Sequence, residues 1–536
     1  MARSTALMSL STAASRVTGF VRTWAMAVAL GVSFAGSTGI PIASSYNLAN
    51  NIPNMIYELL AGGVLSSMFV PIFMERLARD GRDGAYRAAN TLYSIVLVLL
   101  GAVALLGTLW PQPFVFTQTF TVSPEKARLA VYLFRFFAVQ IIFYGWCAVT
   151  TGILNSQRRF FAPAIAPLVN NVVVIVALLG FYLPLRDSRP DLAIVALGVG
   201  TTLGVVALLV TQLPALFKLG FRFRWTWDLS DPTLRRLLRK SAPILGYVGV
   251  NMVAVAFRNA FATSAFLDGS AVLMYAWMWY QLPFGVLAVA YITALFPELS
   301  EMVVLEDWTA FKATFSKGLR VMTLLILPMS AMLAVLSVPL VKLYRVGAFP
   351  ATAVPLVAGV LTAWALGLLS FALYMLTLRA FYAQQDSLTP MVTNAILAVV
   401  HIGLYWGLTS ITTWGDWRLI GIPLADAVFF TMHTAVLLLI LRRRRGGFGG
   451  RQVLSVFARV ALASIAGAGL AWGVTYLTPG LTASPLGFLV QLLVGGVAGL
   501  ATCYGLIALM RVDELHDGVT MLRRVVDRLR PKAARP

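Results

Sequence analysis

Apolar stretches of about 20 residues, the length that crosses the hydrocarbon of a bilayer, recur along this chain and fix its class. They fall near residues 10–33, 41–75, 87–110, 126–155, 162–184, 191–215, 241–266, 270–299, 317–340, 352–383, 389–412, 418–441, 453–477 and 485–511. A spanning strand needs only about ten residues, so runs of this length read as helices. The expected fold is all-α integral membrane, with about 14 transmembrane helices. Charged residues are only 12% of the chain, against about a quarter in soluble domains.

The charges that remain are unevenly placed. The net charge is +21, a balance that in a soluble protein would suggest nucleic acid. Here the basic residues sit in short loops between apolar runs, where orientation in the membrane explains them, and no nucleic-acid partner is expected. With the N-terminus inside, 30 of the 42 basic residues fall at the N-terminus, in inner loops and in the C-terminal tail, and seven fall in outer loops. That asymmetry predicts both termini on the cytoplasmic side. Arg16 and Arg22 interrupt any signal-peptide core, so the first segment reads as a retained span.

Two cysteines, Cys147 and Cys503, lie inside apolar segments and exclude a disulfide framework or a zinc site. An integral-membrane enzyme needs a catalytic carboxylate, usually in a sizeable loop. The outer loops are short, and no metal-ligand cluster, triad or phosphate-binding glycine loop is present. The reading is a transporter and not an enzyme, with no metal and no cofactor.

Polar residues inside spans are costly and mark pathways. Arg22 lies about 18 Å along the first span at 1.5 Å per residue, deep for snorkelling, and Arg16 sits about 120° around the helix from it. Gly19 between them permits a bend. Glu58 in the second span is expected to pair with Arg22 or Arg16. Arg258 lies in the outer third of span 7. Asp426, with Asn394 and Asn251, is a candidate cation or proton site. His401 and His433 read as packed core residues, and Arg135 and Arg459 as structural ones. A weak internal echo supports two halves: Met68-Phe69-Val70-Pro71 against Ala294-Leu295-Phe296-Pro297, six spans apart.

Four motifs in order resemble the MurJ/MviN family of the multidrug/oligosaccharidyl-lipid/polysaccharide exporter superfamily. They are Ser15-Arg16-Val17-Thr18-Gly19-Phe20-Val21-Arg22; Ile52-Pro53-Asn54 with Ala61-Gly62-Gly63 and Phe69-Val70-Pro71; Gly152-Ile153-Leu154-Asn155 with Phe161-Ala162-Pro163-Ala164-Ile165-Ala166-Pro167 and Asn171; and Arg379-Ala380-Phe381-Tyr382-Ala383-Gln384-Gln385-Asp386 with Thr389-Pro390. The resemblance covers nearly the whole chain. It implies a lipid II flippase that moves undecaprenyl-pyrophosphate-linked peptidoglycan precursor from inner to outer leaflet by alternating access. The implied setting is the bacterial cytoplasmic membrane, in cell-wall biogenesis. The alternatives are a flippase for another polyprenyl-linked oligosaccharide, or a drug or cation antiporter of the same superfamily.

The resemblance also implies an organisation. Residues 1–220 form an N-terminal six-span lobe, 221–445 a C-terminal one, 446–511 a final pair holding the lipid tail, and 512–536 a basic tail. The expected substrate-binding set is Arg16, Arg22 and Asn171, carried over by motif position, together with Ser15, Asn54, Glu58 and Arg258, read from their places in the spans. Asp426, Asn394 and Asn251 are left for coupling to a monovalent cation or the membrane potential. Implied partners are the lipid-linked precursor, membrane lipid and cell-wall synthesis proteins. Four family positions differ: an aspartate is Ser44, an arginine is Tyr57, a Glu-Gly is Gly62-Gly63, and a span-8 arginine is Met278. Arg258 is the expected replacement for the charge missing at Met278.

Overall fold

The computed structural model describes residues 2–32, 41–58, 70–227, 232–478 and 485–515. The Gly62-Gly63 motif and the chain beyond Leu515 lie outside these. Every regular element among the described residues is helical. Two compact units divide the chain: one of Met1–Ala271 with Val346–Phe349, the other of Val272–Arg345 with Pro350–Pro536.

The first unit runs α1 (Ala2–Leu30), α2 (Ile42–Glu58), α3 (Val70–Leu109), α4 (Pro111–Thr119), α5 (Pro124–Phe137), α6 (Gln140–Ser156), α7 (Phe161–Val176), α8 (Leu183–Leu185), α9 (Pro190–Val210), α10 (Leu213–Phe217) and α11 (Pro232–Ala265). A π-helical turn, Ala177–Tyr182, joins α7 to α8. In this unit α1 packs on α7, α7 on α9, α3 on α6 and α2 on α5. The expected inner loop around Arg76, Arg79 and Arg82 is helical instead, the first turns of α3, set off by a break at Gly81 with φ 68°. Its i,i+4 ion pairs, Arg76–Asp80 at 3.0 Å and Glu75–Arg79 at 3.1 Å, support helix outside the hydrocarbon. Proline in the first turn of α4 and α5 starts both helices where an N–H has no intrahelical acceptor.

The second unit runs α12 (Gly269–Pro283, its first turn in the other unit), α13 (Val289–Val304), α14 (Trp308–Val335), α15 (Ser337–Lys342), α16 (Ala353–Ala383), α17 (Leu388–Thr409), α18 (Gly421–Arg445), α19 (Gly450–Leu477) and α20 (Pro485–Leu509). Asp307 caps α14, its side chain accepting the Ala310 N–H at 2.9 Å. Here α16 packs on α18 and α14, and α19 lies between α20 and α14.

Eleven helices among the described residues are long and apolar enough to cross a membrane, or twelve if α5 and α6, bent by 46°, make one span. They occupy the expected third to fourteenth spans; α1 and α2 lie where the first two are expected. Leu105 on α3, Ile465 on α19 and Leu493 on α20 face outward, as helices immersed in lipid do.

Without a hydrophobic force between helices in lipid, close approach holds them together. At the α19–α20 contact a Cβ on Gly467 would stand 2.4 Å from the Gly499 carbonyl oxygen and 3.0 Å from Cys503 Cβ. Backbone cannot give way there. Beyond α20, Glu514 is bound by Arg320 of α14, and Arg459 donates to the Met510 carbonyl at 3.3 Å. Gly467→Leu is therefore expected to pry α19 from α20, costing about 1–3 kcal/mol. A thermal melt of the detergent-purified protein checks this; an unchanged midpoint refutes the contact.

The α16–α17 turn is pinned by Asp386. Its carboxylate accepts the Thr389 N–H at 2.9 Å and hydroxyl at 2.6 Å, and pairs with Arg444 of α18 at 2.7 Å. Burial pushes this carboxyl up, but the Thr389 bonds and Arg444 outweigh it and hold it below the ordinary carboxylate range. A depressed folded-state pKa contributes stability above the unfolded value of about 4, and loses it as pH falls through the folded value. Asp386→Ala should cost about 1 kcal/mol near neutrality, and the wild-type and variant melts should converge below about pH 3.

Candidate functional site

Arg22 is held on α1 by neutral groups. Its Nη2 donates to Tyr46 Oη at 3.4 Å, and Thr201 Oγ1 of α9 donates to the same oxygen at 3.3 Å. Tyr46 is 1% exposed, so its hydroxyl is fixed. Tyr144 of α6 is close enough to act on Arg22 electrostatically, and its hydroxyl donates to Asn54 Oδ1 at 2.7 Å. Asn54 in turn donates back to the Asn50 carbonyl at 2.8 Å, one turn before it and next to Pro53. Arg22, Tyr46, Thr201, Tyr144 and Asn54 thus form one polar patch drawn from α1, α2, α6 and α9.

A second set lies one to two turns back along α1. Asn171 Nδ2 of α7 donates to the Ser15 carbonyl and to Thr18 Oγ1, both at 3.3 Å. A Cβ on Gly19 would stand 3.6 Å from that nitrogen, so α7 comes close to α1 here. Arg16 is exposed.

Glu58 differs from expectation. It is exposed at the end of α2, and the charge acting on it is Arg258 of α11, while Arg22 turns to Tyr46. Next to Arg258, Asn259 donates to Gln118 Oε1 at 2.6 Å, and Asn51 reaches the same oxygen at 3.2 Å. This knot fixes the part of α11 that carries Arg258 against α2 and α4.

The model of the family described as "Lipid II flippase MurJ" matches residues 26–491. The chain belongs to the MurJ lipid II flippase family. A protein from Rhizobium tropici named as a probable lipid II flippase MurJ is 31% identical, over 98% of this chain and 96% of its own. One from Rhizobium meliloti (strain 1021) is 29% identical over 97% and 95%. The fold resembles a solved MurJ in an inward closed conformation, with TM-score 0.74 at 22% identity, covering 94% of this chain and 100% of that one. It also resembles an inward-facing multidrug resistance MATE family transporter of the MOP superfamily, with TM-score 0.63 at 16% identity over 80% and 98%.

Two departures from the MurJ motifs have structural fillings. Where the family aspartate is Ser44, the fully buried Asp268, on the turn after α11, accepts the Ser44 backbone N–H at 3.2 Å. A carboxylate reaches that point from another element. Where the family arginine is Tyr57, the ring packs on Tyr144 with centroids 4.8 Å apart, and the hydroxyl bonds with Cys147. Met278 lies on α12 in the second unit.

Of the proposed coupling residues, Asn394 and Asp426 are both buried in the second unit, on α17 and α18, and Asn251 belongs to α11 of the first. His401 is buried and stacked on Phe429, as expected of a packed core residue, and its Nε2 meets Asp426 Oδ1 at 2.9 Å. The sequence reading missed this pair because 25 residues separate the two, as it missed Tyr46, Tyr144 and Thr201 around Arg22. The available signal was that residues on adjacent antiparallel helices face each other at mirrored distances from their shared loop.

If Tyr46 orients Arg22, then Tyr46→Phe should cost about 1 kcal/mol in the wild-type background and clearly less in Arg22→Met. A double-mutant cycle on thermal unfolding measures this; equal costs in both backgrounds would uncouple the two residues.

Proposed function

We propose that this protein is a lipid II flippase, carrying undecaprenyl-pyrophosphate-linked peptidoglycan precursor from the inner to the outer leaflet of the bacterial cytoplasmic membrane by alternating access. The observation that carries the reading is MurJ family membership across residues 26–491 together with an arginine inside the first helix that bonds the Tyr46 phenol instead of a carboxylate. A cation bonded to neutral hydroxyls keeps its full charge for an anionic ligand, whereas a carboxylate partner would cancel it.

In this reading Arg22 binds the pyrophosphate, for which its planar, permanently charged donor set is suited. Arg258 supplies a second fixed charge, replacing the one missing at Met278, and Glu58 is the carboxylate that yields Arg258 when the substrate arrives. Arg16 stands nearer the inner end of α1 as an entry charge. Ser15, Asn54 and Asn171 set the helix positions around it. Fourteen spans place both termini in the cytoplasm. Residues 1–220 and 221–445 act as the two lobes, 446–511 receive the long polyprenyl tail along outward apolar side chains such as Ile465 and Val497, and 512–536 form a basic tail.

The test is replacement of a known lipid II flippase in a depleted bacterium. The wild-type gene should restore growth. Arg22→Ala should fail with normal membrane levels, and Arg22→Lys should recover only part, because an ammonium loses the bidentate geometry. Failure of the wild-type gene, with flipping of a different polyprenyl-linked saccharide, would favour the other glycan. Full activity of Arg22→Ala would remove Arg22 from the mechanism.

A further inference from the structure

One face of the second unit is polar at a depth where lipid supplies no partners. On α12, Met274, Trp277, Met278 and Gln281 follow the i, i+3, i+4, i+7 spacing of a single helix face, and none of them is buried. Gln281 is exposed about 18 Å along the spanning helix Gly269–Val304, at 1.5 Å per residue. Its amide bonds no group among the described residues. An amide without partners is costly in hydrocarbon. Further along the same helix Val286 and Ala290 are exposed, and there the hydroxyl of Thr293 donates back to the Val289 carbonyl at 2.7 Å. That side suits lipid. The Gln281 side needs water or a ligand.

Aromatic rings surround this amide. The Phe284 ring centroid lies 4.5 Å from that of Phe371 on α16, and Phe371 lies 4.7 Å from Phe430 on α18. Tyr280 links Phe371 to Trp277, with centroids 6.1 and 5.0 Å apart. Trp277, Phe284, Phe371 and Phe430 are each only half-buried, so part of every ring stays open. A π-helical turn, Phe284–Ala288, follows Pro283 and delivers Phe284 to this wall; such turns are rare and recur at functional sites. Next to Phe371 and Phe430 in the chain, the exposed hydroxyls of Ser370 and Thr431 meet at 2.8 Å. Thr431 gives its proton to the Ala427 carbonyl at 2.7 Å, so Ser370 donates to Thr431, and both oxygens keep lone pairs that can accept.

A ligand for this face must offer C–H groups to the rings, O–H donors to Ser370 and Thr431, and both donors and acceptors to Gln281. None of these side chains is charged. A pyranose ring meets all three demands. One of its faces carries C–H bonds, which the negative face of an aromatic ring attracts, and its rim carries hydroxyls. An acyl or polyprenyl chain would leave Gln281 unpaired, and a pyrophosphate would find no cation among these groups. We propose that the second unit binds the saccharide of the transported lipid, stacking a sugar ring on Phe371 and its aromatic neighbours while Gln281 bonds the sugar's polar edge. This deepens the flippase reading above and rests on it.

Two soluble probes test this on the full-length protein in detergent: a short-chain isoprenyl pyrophosphate carrying a disaccharide, and the same pyrophosphate without it. Titration calorimetry should find the saccharide probe bound about tenfold more tightly by the wild type, and saturation-transfer NMR should place its sugar C–H protons against the protein. Phe371→Leu keeps an apolar side chain but removes the ring, and should bring the two affinities together. Phe371→Tyr should keep them apart. Gln281→Met, which leaves the rings in place, should narrow the gap as well. Equal affinities in the wild type, or a gap that Phe371→Leu and Gln281→Met both leave intact, overturns the saccharide site, while binding of the bare pyrophosphate still supports the flippase reading. If neither probe binds, the two readings fall together, and binding of tetraphenylphosphonium that depends on Phe371 would give this face to a lipophilic cation instead.

Discussion

A polar group placed in hydrocarbon must find its partner inside the protein, and the arrangement of this fold follows from that requirement. The hydroxyls of Thr150, Thr201 and Thr323 bond back to carbonyls one turn earlier. The buried glutamine Gln212 bonds Cys147 and Thr151 and so ties α6 to the end of α9. Helices meet where small residues let backbone approach backbone, as at Gly467 and Gly499. With apolar surface covering most helices on every side, lipid gives no direction to packing; polar pairs and close contacts do.

The same requirement is met in opposite ways in the two units. In the first, a cation on α1 is surrounded by phenol, threonine and asparagine groups, none of which carries a negative charge. In the second, Asp426 on α18 accepts from Trp364 and Tyr405 and faces His401. The first arrangement preserves a positive field for an anionic ligand. The second surrounds a buried carboxylate with polar groups drawn from α16 and α17.

Charge also moves between elements while position in space is kept. Ser44 carries no carboxylate, yet Asp268 delivers one to its backbone from 224 residues further on. Tyr57 carries no cation, and its ring instead packs against the tyrosine that bonds Asn54. Motif comparison reads each as a loss, because it compares positions along one helix. The folded chain restores the first and rebuilds the second with different chemistry.

Spanning length and hydrophobicity are local properties, so the sequence alone determined that this is a helical membrane protein and placed its apolar helices; their ends and kinks, such as the helical start of α3 and the bend between α5 and α6, depended on local breaks such as Gly81. Four motifs fixed the family for the same reason: residue order is written in the chain. The arginine on α1 was legible because a charge deep in an apolar run needs a use. Its partners were not, because Tyr46, Thr201 and Tyr144 lie on three other helices and carry no signal of their own in an apolar sequence rich in aromatics. Glu58 turning to Arg258, and His401 meeting Asp426, were decided by how helices face one another. That rotation is set by packing over distances of tens to hundreds of residues, and only the tertiary structure contains it.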